Sequence, residues 1–183
     1  MIKNKYKSDY KASARMDGRG RIVEDYSYVG NYYYLPLDEA KKKKANLMNV
    51  LFGMSMLLLT IAAGLMNADS SRTAWIVFPN LFLFLPCAYM LFGAHSFWGS
   101  KIRMEKVVYD TTITRMRRSC WGVIILSAVN SILDIVYIFL NFSDMNKIRE
   151  FSYLVCMAVL LAVGIAFGKY FDKTYMPVTV ENC

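Results

Sequence analysis

Histidine is almost absent from this chain: His95 is the only one in 183 residues. It stands at the end of an apolar block beside Gly93 and Ser96 with no second ligand-bearing side chain nearby, so it reads as a helix-end residue and not a metal ligand. There is no H-E-x-x-H, no P-loop and no serine–histidine–acid set, which removes the common hydrolytic and nucleotide-binding machineries. Cysteine is also sparse. Cys87, Cys120, Cys156 and Cys183 form no C-x-x-C pair, and three of them lie in or beside apolar blocks, which argues against a disulfide framework or a zinc site. Acidic residues are nearly missing from the apolar blocks, where Asp134 stands alone, and no paired carboxylates are legible there. The expectation is a protein that is not an enzyme and carries no cofactor or metal.

What the chain has in abundance is apolar surface. Hydrophobic residues make up 56% of it, gathered in blocks near residues 46–67, 73–95, 119–142 and 151–171. Each block is about 20 residues long, enough to cross roughly 30 Å of hydrocarbon as a helix. The expected fold is an all-α integral membrane protein: an antiparallel bundle of four transmembrane helices over residues 38–171, with a small cytoplasmic β-hairpin before it.

Charge sets the expected orientation. Of the 22 lysines and arginines, 19 fall before the first block, in the loop between the second and third, or in the C-terminal tail; Arg72, Lys147 and Arg149 are on the other side. Positive residues accumulate on the cytoplasmic face, so both termini are expected inside a plasma membrane, and a bacterial cytoplasmic membrane suits the lysine-rich inner side. Lys41, Lys42, Lys43 and Lys44 anchor the first span, and Arg115, Arg117 and Arg118 the third. The partner they imply is a bilayer with anionic headgroups on the cytoplasmic side, and no nucleic acid.

Residues 1–21 are basic and lack an apolar signal core, and read as a disordered tail or as an arm held on lipid through Tyr6 and Tyr10. Residues 22–37 are tyrosine-rich around Gly30-Asn31, which predicts a juxtamembrane hairpin with strands near Val23–Tyr28 and Tyr32–Leu35. Asp38 is placed to cap the first helix. Pro79 and Pro86 predict a bent second span whose freed carbonyls are covered by neighbours. Residues 172–183 are expected to be a short irregular cytoplasmic tail after Pro177.

The informative stretch is Cys120 to Phe142. Ser127, Asn130, Ser131 and Asp134 fall at i, i+3, i+4 and i+7 and draw one polar stripe on one helix face. Counted from the outer ends of the spans, Asp134, Thr60, Asn80 and Cys156 lie at a common depth, about 8–10 Å below the boundary at 1.5 Å per residue. A charged Asp within a span costs at least ~2.5 kcal/mol, so Asp134 is expected to face the bundle. There it either accepts hydrogen bonds from Asn80, Thr60 or Asn130 or carries a proton. The predicted buried cluster is Asp134, Asn130, Ser127, Ser131, Asn80 and Thr60, serving as a register lock, a proton- or cation-handling site, or a carboxylate reaching the outer interface.

The fourth span carries two small-residue rows, Ala158, Ala162 and Ala166 on one side and Gly164 and Gly168 about 200° away. One row can pack inside the bundle, and the other is then free for a second copy or another membrane subunit. The function expected from these features is that of a non-catalytic accessory or scaffold component of a membrane assembly. The alternative is a small homo-oligomeric proton- or cation-coupled transporter using Asp134.

Overall fold

The structure is a computed structural model that describes residues 4–16, 18 and 22–181. Among these residues, four helices are long and apolar enough to cross a membrane: α1 (Glu39–Leu65), α2 (Ala74–Trp98), α3 (Lys106–Leu140) and α4 (Lys147–Tyr175). α1 packs on α2, α2 on α3 and α3 on α4, and α4 closes back on α1, so the four form an up-and-down bundle.

The bundle is apolar on its outside as well as in its core, and polar side chains are placed inside it. Asn49, Thr60, Ser127, Asn130, Asp134 and Glu150 are fully buried. The outward faces carry Leu58, Phe78, Ile132 and Phe139 at 57, 58, 61 and 81% exposure. α1 shows how the pattern arises. Asn46, Asn49, Gly53, Met56, Thr60 and Ala63 recur every three or four residues on the inner face, whereas Leu47, Leu51, Met54, Leu58 and Ile61 look outward. In water the apolar stripe would turn inward; here it is the small and weakly polar stripe that does.

Local chemistry sets the helix ends. The Asp38 side chain accepts the Lys41 N–H at 2.7 Å and starts α1. Asn67 follows the last turn with φ of 48°, a left-handed conformation that asparagine tolerates. Pro79 and Pro86 both lie within α2. After its first turn, α3 passes through a π-helical stretch over Asp110–Thr114, where the Thr112 hydroxyl donates to the Val108 carbonyl at 2.6 Å. Gly93 of α2 sits against that stretch. A Cβ there would lie 2.6 Å from Met116 Cγ and 3.3 Å from the Thr112 carbonyl oxygen, so glycine sets how closely α2 approaches α3.

Two small antiparallel sheets complete the described residues. β1 (Tyr10–Met16) pairs with β2 (Ile22–Tyr28) over seven positions, from Tyr10 opposite Tyr28 to Met16 opposite Ile22. β3 (Tyr32–Tyr34) lies between β4 (Arg103–Glu105) and β5 (Thr179–Glu181). The start of the chain, the α2–α3 connection and the end of the chain therefore meet at one end of the bundle as a cap.

The cap corrects three expectations. The hairpin across Gly30-Asn31 does not form, because β2 finds a longer partner in β1 and β3 is hydrogen-bonded on both edges by strands remote in sequence. Gly30 instead links the two sheets at close quarters: a Cβ there would lie 2.8 Å from the Tyr28 hydroxyl. The basic segment is ordered where it is described, as a short 3-10 helix, Asn4–Asp9, followed by β1. It is held because the Tyr6 hydroxyl donates to Asp110 at 2.9 Å and the Tyr10 hydroxyl to Glu105 at 2.7 Å. Residues 1–3, 17 and 19–21 of that segment lie outside the described residues. The C-terminal tail is not irregular after Pro177 but forms β5, fixed by Tyr34 donating to Glu181 at 2.8 Å; residues 182 and 183 lie outside the described residues.

Candidate functional site

The stripe on α3 points inward. Ser127, Asn130 and Asp134 are fully buried and Ser131 half-buried. The two serines turn back on their own helix, Ser127 donating to the Ile124 carbonyl at 3.2 Å and Ser131 to the Ser127 carbonyl at 2.9 Å. Their polarity is spent locally and they reach no other helix through these bonds.

Asn130 crosses to α2. In the amide orientation that satisfies both neighbours, it donates to the Ile76 carbonyl and accepts the Asn80 N–H, each at 3.2 Å. Ile76 and Asn80 are an i, i+4 pair of the helical ladder, and Pro79, which has no N–H, lies between them. Asn130 thus bridges α2 across the turn that Pro79 weakens. The Asn80 side-chain oxygen is itself buried without a hydrogen bond.

Asp134 meets residues that the stripe does not announce. It faces Ser70, in the α1–α2 connection, and Glu150, on the first turn of α4; Tyr153, one turn after Glu150, lies within electrostatic reach of both carboxyls. Glu150 Oε1 accepts the Ser70 N–H at 3.0 Å. Both Asp134 oxygens, Glu150 Oε2, Ser70 Oγ and Tyr153 Oη are buried without a hydrogen bond to the protein. Five polar atoms with unused capacity, two of them on one carboxyl, make this the most under-satisfied point of the described interior. Two carboxyls from different elements are paired here, although only Asp134 is visible within the apolar blocks.

The predicted cluster accordingly divides. Asn130 and Asn80 come together, but Thr60 does not join Asp134. The Thr60 hydroxyl donates to the Met56 carbonyl at 2.9 Å and touches Cys87 Sγ at 3.6 Å. A separate polar contact lies toward the cap, where Asn49 donates to the Tyr175 hydroxyl at 2.7 Å beneath the rings of Phe97 and Phe171.

The small-residue rows of α4 part as well. Gly164 is buried against α3, where a Cβ would lie 3.0 Å from Ile124, and its carbonyl accepts from Cys120 Sγ at 3.3 Å. A Cβ at Gly168 would lie 3.6 Å from Cys120 Sγ, while Ala158, Ala162 and Ala166 are exposed on the outward face. Among the cap-end cations, Lys41, Lys43 and Lys44 are exposed and Lys42 donates to the Ser100 carbonyl. Arg117 pairs with Asp172 at 3.7 Å, and Arg115 and Arg118 line a cleft between α2 and α3.

Glu150, Ser70 and Tyr153 are the residues that sequence reasoning missed. Their signal is weak but present in the case of α4. Glu150, Tyr153, Met157, Leu160, Gly164 and Phe167 follow three- and four-residue steps on the face that bears Gly164. Lys147 and Arg149 disguise Glu150 as part of a polar turn.

Comparison with protein-family models, with curated proteins and with solved structures finds no match to this chain.

Proposed function

We propose that the protein is a multi-pass membrane protein, with its cap and both termini on the cytoplasmic side, that acts without catalysis as an accessory component or scaffold of a larger membrane assembly. The observation that carries this reading is the use made of the interior polar groups. Asn130 with α2, Asn49 with Tyr175, and Glu150 with Ser70 each join separate elements by hydrogen bonds, and so lock the mutual register of the helices. The four apolar outer faces suit lipid, and the exposed Ala158, Ala162 and Ala166 row suits close contact with a second copy or another subunit. The 19-to-3 asymmetry of basic residues supports the cytoplasmic placement of the cap. The test is the mass of the tagged full chain extracted in mild detergent, measured by light scattering. A stoichiometric complex is expected, and a solitary monomer at every detergent concentration would remove the reading.

A second reading rests on Asp134. Its carboxyl beside Glu150, Ser70 and Tyr153 offers oxygen donors from three elements around one buried point, a composition suited to a proton or a hard cation. A homo-oligomer using this point would be a small coupled transporter. Reconstituted vesicles decide: Asp134→Asn should abolish gradient-driven flux, and flux equal to wild type would dismiss transport through this residue.

A further inference from the structure

A cleft of about 460 Å³ opens where the cap meets the bundle, walled by α2, the first turns of α3 and the short helix Asn4–Asp9. Three cationic side chains line it, Lys5, Arg115 and Arg118, against one carboxylate, Asp110. That carboxylate is already engaged, taking the Lys5 ammonium at 3.0 Å and the Tyr6 hydroxyl at 2.9 Å. Neither Arg115 nor Arg118 has a carboxylate within ion-pair distance among the described residues. Arg115 lies 5.8 Å from the ring of Tyr89, across the cleft on α2. By contrast, Arg117, pointing elsewhere on the same helix, is paired with Asp172.

Two guanidiniums three residues apart on one helix face repel one another unless an anion lies between them. Each offers a planar fork of donors that matches the oxygens of a phosphate. Ser119, buried in the same wall, adds a hydroxyl. The position is equally informative. Arg115 and Arg118 stand immediately before Cys120, where the apolar run of α3 begins, and the opposite wall is Pro86 and Tyr89, next to the exposed Phe82 and Leu85 of α2. A cationic recess thus opens onto an apolar outer face.

We propose that this cleft binds a phosphate group, gripped by Arg115 and Arg118. The group is either the headgroup of a phospholipid whose chains lie along α2 or a soluble phosphate compound. This inference shares with the function above only the membrane placement of α3, and it stands whether the chain scaffolds or transports.

The test is native mass spectrometry of the purified full chain in detergent with phosphatidylglycerol added, with and without millimolar inorganic phosphate. Wild type should retain one lipid per chain. Arg115→Gln/Arg118→Gln should bind about tenfold more weakly, the scale expected for losing a charge-assisted contact. Lys147→Gln/Arg149→Gln, which removes the same charge from exposed positions at the opposite end of the bundle, should bind as wild type. Arg115→Lys/Arg118→Lys keeps the charge and loses the fork. It should also bind more weakly, and it carries the test if the glutamine variant fails to fold. Lipid binding that phosphate does not displace assigns the site to the headgroup, and arginine-dependent phosphate binding without lipid assigns it to a soluble ligand. Binding of both probes that is unchanged in the arginine variants, or no binding of either probe to wild type, overturns the proposal.

Discussion

Glu150, on the first turn of α4, accepts the backbone N–H of Ser70 at 3.0 Å across 80 residues of chain. The Ser70 N–H belongs to a single turn of 3-10 helix, Ser70–Arg72, and the bond ties that connection to the far side of the bundle. Asp134 faces the same point from α3. Three of the segments that meet at this end of the bundle are therefore coordinated by one buried carboxyl pair.

The Ser70 bond makes Glu150 separable by substitution. Glu150→Gln keeps an oxygen to accept the N–H and gains donors toward Asp134, so the melting temperature in detergent should change little. Glu150→Ala leaves a buried N–H without a partner, which costs ~1–3 kcal/mol. The expected result is a drop of several degrees for alanine only, read by intrinsic fluorescence on heating. Equal losses for both variants would mean that the bond contributes nothing.

Asn130 and Asn80 look equivalent in the sequence and are not in the structure. Asn130→Ala removes both hydrogen bonds to α2 at the proline turn. Polar contacts between apolar helices are worth about 0.6–1.7 kcal/mol, so a loss of that size is expected in a denaturation titration in detergent. The Asn80 side-chain oxygen makes no hydrogen bond, so Asn80→Ala should be closer to neutral.

The small residues should divide by face. Gly93→Val would bring a branched side chain against the Thr112 carbonyl and Met116, an overpacking that costs ~1–3 kcal/mol. Ala162 is exposed, and Ala162→Leu should leave the stability of the single chain within about 0.5 kcal/mol of wild type. If the outer row makes the contact with a second subunit, Ala162→Leu should instead weaken the assembled species seen by light scattering.

The helices and the inward stripe were legible because each rests on a short-range rule. An apolar run of about 20 residues fixes a helix of membrane length, and residues repeating every three or four positions share a face. The cap obeyed no such rule. The partners of Tyr32–Tyr34 are Arg103–Glu105 and Thr179–Glu181, far along the chain, and the Gly30-Asn31 turn signal was outweighed by a seven-residue pairing on the other side of β2. The acid pair was half legible. Asp134 stands out against apolar neighbours, whereas Glu150 sits among charged ones at a helix start, where only its inward register distinguishes it from solvated residues.

The tyrosine fastening of the cap gives a pH signature. Burial, reinforced by the Glu105 carboxylate 2.7 Å away, pushes the Tyr10 hydroxyl well above its ordinary value of 10. In the unfolded chain the phenol ionises near pH 10, so between that pH and its folded value the native cap binds the extra proton. Stability therefore falls as pH rises past about 10 and is unaffected by this group below that. A spectrophotometric titration of tyrosinate should show Tyr10 among the last to ionise. Tyr10→Phe should flatten the alkaline loss of stability, and an unchanged alkaline slope would show that the phenol is not buried in the cap.

The placement of the cap is open to a direct labelling experiment. Ser143 is exposed in the α3–α4 turn and Lys101 is exposed in the α2–α3 connection, at opposite ends of the bundle. Cys87, Cys120 and Cys156 are buried, so in a Cys183→Ser background a single new cysteine dominates the reaction with a membrane-impermeant maleimide. Ser143→Cys should react in intact cells and Lys101→Cys only after the membrane is opened. The reverse pattern would turn the bundle over, placing the cap, the acid pair and the Arg115–Arg118 cleft on the sides opposite to those argued from basic-residue counts. Reaction of both in intact cells would mean that the four apolar helices do not separate the two ends.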